Sequence, residues 1–142
     1  MATLAAAVEA IRDRIEDQTS LKRSRSVETL RSLPDHLQAL SVAAWPGRSV
    51  AVGTVRPGDG SILIADDITL ELAYRLRTAD EIGSLDSALA NARSVRIALT
   101  SPAWYATQGL QCVEWTAERR TREGGWVILS QTYRVTRQGD AG

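Results

Sequence analysis

The stretch that decides the fold runs from residue 66 to residue 99 and reads DDITLELAYRLRTADEIGSLDSALANARSVRIAL. Its first part alternates apolar with polar residues, and every second position holds Ile68, Leu70, Leu72, Tyr74 and Leu76. Alternation with a period of two predicts a strand over residues 66–77, with one face on a core and the other in water or at a partner. The sequence TAD at 78–80 ends this strand.

A helix is predicted next, from Leu85 to about Thr100. Ser84 is the expected N-cap, because its side-chain oxygen can accept a hydrogen bond from a backbone N–H group of the first turn. Apolar residues recur at helical spacing and predict a buried stripe of Leu85, Ala88, Leu89, Ala92, Val95 and Leu99. Pro102 stops the helix, since proline lacks the N–H group that a helix interior requires.

The residues before this stretch predict a second amphipathic helix, over 2–18, with Thr3 as its N-cap. Its apolar face holds Leu4, Val8, Ile11 and Ile15. The polar and basic segment 18–34 is a loop or a second helical turn. Residues 37–45 are interpreted as a strand, with a helix over part of them as the alternative, because alanine is frequent there.

An exposed and mobile loop is expected over residues 46–61. Pro46-Gly47 predicts a turn, and the sequence PGDGS at 57–61 is typical of a loop. A short strand over 49–55 is the only regular structure that we expect within this segment.

The C-terminal third predicts two antiparallel strands, over 109–119 and 125–137. The connection RRTREGG is polar and ends in two glycines, which indicates a hairpin. Both strands carry apolar residues on both faces, so the sheet can be covered on two sides. The tail QGDAG at 138–142 is expected to be disordered.

These elements together predict one α+β domain over residues 1–142. We expect one antiparallel or mixed sheet of about four strands, packed with two α-helices. The chain length is typical of a single domain with one substantial core.

The composition limits the classes of function. Arg plus Lys and Asp plus Glu both number 17, so the net charge is zero, which argues against a dedicated nucleic-acid-binding protein. A local basic patch stays possible. Cys112 is the only cysteine, so no disulfide can form within one chain. The N-terminus lacks the basic region of a signal peptide and no long apolar run occurs, so we expect a soluble, cytosolic chain with no membrane partner.

The residues that could carry chemistry are isolated from one another. His36 is the only histidine and is interpreted as a surface residue, and Cys112 as a small buried hydrophobe. Asp66 and Asp67 are strand neighbours that point to opposite faces, and they are interpreted as solvated. No phosphate-binding loop, dinucleotide fingerprint or metal-ligand spacing occurs. We therefore expect no enzyme activity, no cofactor and no metal.

The densest group of charges is the connection between the last two strands. Arg119, Arg120 and Arg122 lie between Glu118 and Glu123. A solvated hairpin tip is one interpretation, and a contact with another subunit or with nucleic acid is the other. The flanking carboxylates weaken any field that would attract phosphates, so a protein contact is favoured over nucleic acid.

The arrangement of these elements resembles a known family. The strand ending in LAYRLR at 72–77, the acidic turn at 78–80, the helix starting with SLDSAL at 84–89 and the closing hairpin are similar to the tail terminator proteins of long-tailed bacteriophages and related phage-tail-like particles, the minor tail protein U-like family. The match lies mainly in residues 66–99. The order of the first helix and the hairpin extends it over most of the chain.

This resemblance implies a structural protein of the virion tail or neck, assembled in the host cytoplasm. Six copies would form a ring that caps the tail tube, ends its polymerisation and offers a surface to the neck or head connector. DNA would only pass through the lumen, and neither a cofactor nor catalysis is implied. The alternatives are another neck protein, of the head-completion or stopper type, and a small binding module or enzyme with a concave polar pocket.

The resemblance also suggests which residues make contacts. The exposed strand face and the hairpin would meet neighbouring subunits or partners through Glu71, Arg75, Arg77, Arg119, Arg120, Arg122 and Glu123. The mobile loop would order against the tube or the connector through Arg48, Arg56 and Asp59.

Overall fold

The structure is a computed structural model that describes residues 3–19, 21–23, 41–54 and 61–140. The elements in chain order are α1 (Leu4–Gln18), β1 (Lys22–Arg23), β2 (Ser41–Thr54), β3 (Ser61–Arg75), α2 (Glu81–Leu99), α3 (Pro102–Tyr105), a 3₁₀ turn (Ala106–Gln108), β4 (Leu110–Glu123) and β5 (Trp126–Asp140). The predicted α+β class is confirmed, with four long antiparallel strands and helices packed on them.

The strand order in the sheet is β1-β2-β3-β5-β4. The neighbouring long strands β2, β3, β5 and β4 are antiparallel to one another, whereas the short β1 pairs in parallel with β2 over two residues. A tight turn of Gly124 and Gly125 joins β4 to β5, and Gly124 adopts a φ of 59°, which glycine tolerates without strain. The hairpin predicted from the two glycines is confirmed, but the connection predicted over residues 119–125 is too long, because residues 119–123 continue β4 and pair with β5.

The predicted turn at Pro46-Gly47 and the exposed loop over 46–61 are wrong for the described residues, whereas the short strand expected over 49–55 is confirmed for residues 49–54. Strand β2 continues through Pro46 without interruption, and register shifts next to Gly47 and Val52 mark two bulges. Proline is tolerated because β1 covers only the first two residues of β2, so Pro46 lies where the second edge of β2 has no neighbouring strand in the described part of the chain. Residues 55–60 lie outside the described residues, and Ser61 already belongs to β3.

The end of the chain also differs from the prediction. Strand β3 begins at Ser61, several residues before the predicted start, and its extension gives the end of β5 a pairing partner. Asp140 is in register with Ser61, so residues 138–140 form strand rather than a disordered tail. Residues 141–142 lie outside the described residues.

Both long helices pack on one face of the sheet, where they share one core with β3, β4 and β5. Helix α1 begins as predicted, because the Thr3 side chain accepts a hydrogen bond of 3.1 Å from the Ala6 N–H group. The core is formed mainly by Ala7, Val8, Ile11, Ile15, Ile68, Leu70, Leu72, Ala88, Ala92, Val95, Leu99, Val113, Val127, Leu129, Tyr133 and Val135.

Helix α2 begins earlier than predicted. Asp80 is its N-cap and accepts a hydrogen bond of 3.0 Å from the Gly83 N–H group, so Ser84 lies inside the first turn. The predicted buried stripe holds for its alanines, Val95 and Leu99 but is wrong for Leu85 and Leu89, each 37% exposed. Small alanine side chains bring the helix close to the sheet, and the two leucines project from its flank instead.

Candidate functional site

The face of the sheet turned away from α1 and α2, here called the outer face, carries four of the seven residues predicted on the exposed strand face and the hairpin. Glu71 on β3 and Arg119 on β4 are both in register with Ser130 of β5, so the three residues form one row. Two strand spacings, about 10 Å, separate Glu71 from Arg119. The structure therefore places an acid and a base two strands apart in this row, which continues to Ala43 on β2.

A second row on the outer face reverses this charge order. Arg75 on β3 and Glu123 on β4 are both in register with Trp126 of β5. The Arg75 guanidinium lies 5.9 Å from the centroid of the Trp126 ring, within the range of a cation–π interaction. Trp126 is itself buried, so its ring has a fixed position and this contact restricts the Arg75 side chain.

Arg120 and Arg122 lie on the opposite, helix-bearing side of β4. The Nη2 atom of Arg122 is 3.1 Å from Oε2 of Glu81 at the start of α2. The Nη2 atom of Arg120 is 2.8 Å from Oε2 of Glu118. The sequence analysis grouped Arg119, Arg120 and Arg122 at one hairpin tip. Residues 119–123 are instead part of strand β4, so Arg119 lies on one face of the sheet and the other two arginines on the opposite face.

The structure places Arg77 off the sheet and Arg48 on the outer face of β2. Arg77 is beyond the end of β3 in the turn before α2, where its backbone carbonyl accepts a hydrogen bond of 3.0 Å from the Asp80 N–H group and its own backbone N–H donates to Ser84 Oγ at 3.1 Å. Arg48 lies on β2, in register with Asp67, and not on a loop. Arg56 and Asp59, the other two residues of the predicted partner-binding loop, lie outside the described residues.

A buried polar network between β5, β4 and α2 was missed by the sequence analysis. Gln131 is fully buried, and its Nε2 donates to the Ala92 carbonyl at 3.0 Å and to Glu118 Oε1 at 2.9 Å. The Tyr133 hydroxyl donates to Gln131 Oε1 at 2.8 Å. Every buried side-chain polar atom in the described residues has a hydrogen-bond partner, so this network is fully satisfied.

The phenol pKa is raised in two tyrosines, Tyr133 of this network and Tyr74 on β3. Burial raises the pKa of Tyr133 above its ordinary value, Arg96 partly offsets that rise, and Glu118 adds to it. Burial, followed by the charge of Glu118, raises the pKa of Tyr74, whose hydroxyl donates to Asn91 Oδ1. Both phenols therefore stay protonated at neutral pH and act as hydrogen-bond donors.

The two aspartates at 66 and 67 do point to opposite faces, as predicted. Asp66 is fully buried on the helix side, where it accepts hydrogen bonds from Ser49 Oγ and from Arg137 Nε, so the prediction that it is solvated is wrong. Asp67 lies on the outer face, 3.4 Å from Arg134 Nε. The two carboxylates thus have separate arginines and do not share a ligand.

Cys112 is half-buried on the outer face and is not the buried hydrophobe that the sequence predicted. Its Sγ atom donates to Glu114 Oε1 at 3.6 Å. Burial, the charge of Glu114 and this hydrogen bond all raise the pKa of the thiol, which favours the unreactive protonated form. His36 lies outside the described residues.

A cleft of about 380 Å³ lies between α1 and the segment that contains α3. The Arg14 guanidinium is 5.4 Å from the centroid of the Trp104 ring, and its Nε donates to the Ala98 carbonyl at 3.3 Å. The lining of the cleft consists of Ala10, Asp13, Arg14, Asp17, Trp104 and Gln108.

Among the residues that the structure describes, no group of three His, Cys, Asp or Glu side chains is placed to hold a metal ion. Within the same residues, every helix is too short or too polar to cross a bilayer. No protein-family model matches the chain, and no curated protein matches it either.

Proposed function

We propose that this chain is a structural subunit that assembles into a ring and caps a phage-type tail tube, as a tail terminator does. In this role it would end polymerisation of the tube, present a surface to the neck or head connector, and leave a lumen for DNA. It would act within the virion neck, assembled in the host cytoplasm, and catalyse no reaction.

The observation that carries this proposal is the charge pattern of the outer face. Glu71 on β3 and Arg119 on β4 lie two strands apart in one row, and Arg75 on β3 and Glu123 on β4 do so in another row with the charges reversed. A surface that presents both signs in a fixed geometry selects a partner with the complementary arrangement and fixes its register.

The two ends of the outer face also differ in character, which suits a ring. Trp45 on β2 is 55% exposed and lies in the row of Thr69 and Thr132, whereas β4 presents exposed Arg119. Exposed tryptophan is typical of the centre of protein interfaces. Two unlike ends favour a head-to-tail contact between copies, and such contacts close into a ring when the rotation between subunits permits it.

One observation favours a different class of protein. The cleft beside α1 presents Asp13, Asp17 and Gln108 next to Trp104, which is the concave polar pocket expected of a small binding module. That alternative predicts a monomer or a dimer. A neck protein of the stopper type would also form a ring and differs from a terminator only in its docking partner.

The proposal is tested by measuring the mass of the protein by light scattering and by imaging it in electron microscopy, with and without tubes assembled from a tail-tube protein. A hexamer of 15.4 kDa chains has a mass of about 92 kDa. The chain should form rings alone or on tubes of the tail-tube protein encoded near its own gene, and should stop the tubes from growing. A species that stays at 15.4 kDa with such tubes present, and leaves their growth unchanged, would overturn the proposal.

A pair of charge reversals tests the outer face itself. Arg119→Glu should impair ring formation, because it replaces the acid and base of one row with two acids. Arg122→Glu makes the same change on the other side of β4 and should leave the ring intact. Equal effects of the two variants would remove the outer face from the proposal.

A further inference from the structure

Helix α2 exposes apolar side chains on the flank that lies beside β4, the last strand at this edge of the sheet. Ile82, Leu85 and Leu89 follow one another at helical spacing and are all exposed. Both ends of α2 reach β4, since Glu81 contacts Arg122 and the Arg96 guanidinium lies 4.8 Å from the centroid of the Trp115 ring. The flank of α2 thus lies beside β4 and extends past the edge of the sheet, an arrangement here called the overhang.

Strand β4 offers an open backbone edge beneath this overhang. It is the last strand in the sheet order, so no described strand pairs with its second edge. Its last bulge lies between Trp115 and Ala117, and residues 117–123 then pair with β5 without a further shift. Alternate residues of such an edge direct their N–H and C=O groups away from the sheet.

We propose that this region, the α2–β4 surface, binds an extended segment of a partner protein by adding one strand to β4. The surface is formed by Ile82, Leu85 and Leu89 of α2 and by Trp115, Arg120 and Arg122 of β4. An added strand would lie about 4.8 Å from β4, and its side chains on the helix side would meet the apolar flank of α2.

The charges of the surface define the chemistry of that segment. Arg93 and Arg96 continue the flank of α2 at helical spacing, and Arg120 and Arg122 are more than half exposed on β4. Glu81, Glu118 and the exposed Asp86, which lies one turn from Ile82 and from Leu89 on the same flank, offset only part of this positive charge. The fitting partner therefore carries carboxylates as well as leucine-like side chains on the side turned toward α2.

The same features favour a peptide over a nucleic acid. Three exposed aliphatic side chains and an open strand edge match an extended polypeptide. Glu81 and Glu118 lie among the arginines and weaken their attraction for phosphates. The inference stands apart from the proposed ring, since it uses the helix side of β4 and not the outer face.

Fluorescence anisotropy with a short synthetic peptide tests this inference on the full chain. Glu, Leu, Leu and Glu occupy alternate positions of the peptide, and Thr occupies the others. We expect saturable binding, together with slower hydrogen exchange of backbone amides in residues 117–123. Peptides with Lys in place of Glu, or with methylated backbone nitrogens, should not bind.

Two matched pairs of variants locate the binding site. Arg122→Glu should weaken binding about fivefold or more, whereas Arg119→Glu, on the opposite face of the same strand, should change it little. Leu89→Ser should weaken binding, and Val52→Ser, which changes an exposed apolar residue on β2 at the other side of the sheet, should not. Circular dichroism of each variant confirms that the fold is retained.

Three results would overturn the inference. These are equal losses within both pairs of variants, undiminished binding of the methylated peptide, and binding of a single-stranded oligonucleotide through Arg120 and Arg122 without binding of the peptide. Each of them leaves the ring measurement unaffected, so failure here is separate from failure of the proposed function.

Discussion

The Nε atom of Arg137 donates a hydrogen bond of 2.7 Å to Oδ2 of Asp66, across β5 and β3 on the helix side of the sheet. The side chain of Asp66 is 1% exposed and that of Arg137 is 12% exposed. Ser49 Oγ donates a second hydrogen bond to the same carboxylate. The ion pair therefore joins three strands in a region that water hardly reaches.

Removal of Arg137 from this pair is expected to be costly. Arg137→Met leaves the Asp66 carboxylate buried without its cation, and loss of one partner of a buried ion pair lowers the free energy of unfolding by about 3–5 kcal/mol. The double variant Asp66→Leu with Arg137→Met should lose less than the sum of the single losses, because no uncompensated charge remains. Urea unfolding followed by tryptophan fluorescence measures all three variants.

The neighbouring pair on the outer face provides the control for this prediction. Arg134 Nε is 3.4 Å from Asp67 Oδ1, and both side chains are substantially exposed. Arg134→Met should therefore cost about 1 kcal/mol or less. Similar losses for Arg134→Met and Arg137→Met would show that burial of the Asp66 pair does not determine its contribution.

The fully buried Gln131 yields a second prediction. Gln131→Leu removes the acceptor of the Tyr133 hydroxyl and one donor to Glu118, and should lower the free energy of unfolding by about 2 kcal/mol. Thr132→Val, at the next position on the outer face, should cost about 1 kcal/mol or less. Urea unfolding of both variants checks this difference, and a Gln131→Leu variant as stable as the parent would contradict it.

Local pattern was sufficient for the elements whose period and caps lie within the segment itself. The alternation of Ile68, Leu70 and Leu72 identified β3 and its buried face, although not its start at Ser61, and helical spacing with Thr3 located α1. These signals survive in a single sequence because period and capping are properties of the segment itself.

The errors arose where pairing between distant segments overrides local composition. Pro46 and Gly47 are typical of a turn, yet β2 continues because β3 offers a full ladder and the extra residue forms a bulge. Asp66 and Gln131 are polar residues in strands, and only the positions of Arg137 and Ala92 explain their burial. No local pattern in the sequence encodes those partners.

Alkaline pH should destabilise the protein through its buried tyrosines. Burial raises the pKa of Tyr74 and Tyr133, whereas an unfolded phenol has a pKa of about 10. Above about pH 10 the unfolded state loses protons that the folded state keeps, so the free energy of unfolding falls as pH rises.

Replacement of the tyrosines isolates this contribution. Each raised phenol adds at most about 1.4 kcal/mol per pH unit to the slope, so Tyr133→Phe should flatten the decline between about pH 10 and 11.5. Tyr74→Phe should do the same, and the double variant should show the sum. Urea unfolding at a series of pH values measures these slopes, and an unchanged slope in the double variant would exclude the phenols as its cause.

The start of α2 permits a prediction whose sign depends on the background. Asp80→Ala removes the cap of the Gly83 N–H group and should cost about 1 kcal/mol. A Cβ atom at Gly83 would overlap the Asp80 carboxylate, so Gly83→Ala in the parent should displace the cap and be destabilising. In the Asp80→Ala background that obstacle is gone, and alanine favours a helix over glycine by up to about 1 kcal/mol. Gly83→Ala should therefore become neutral or stabilising there in thermal unfolding, whereas equal losses in both backgrounds would show that the Asp80 cap is not what Gly83 accommodates.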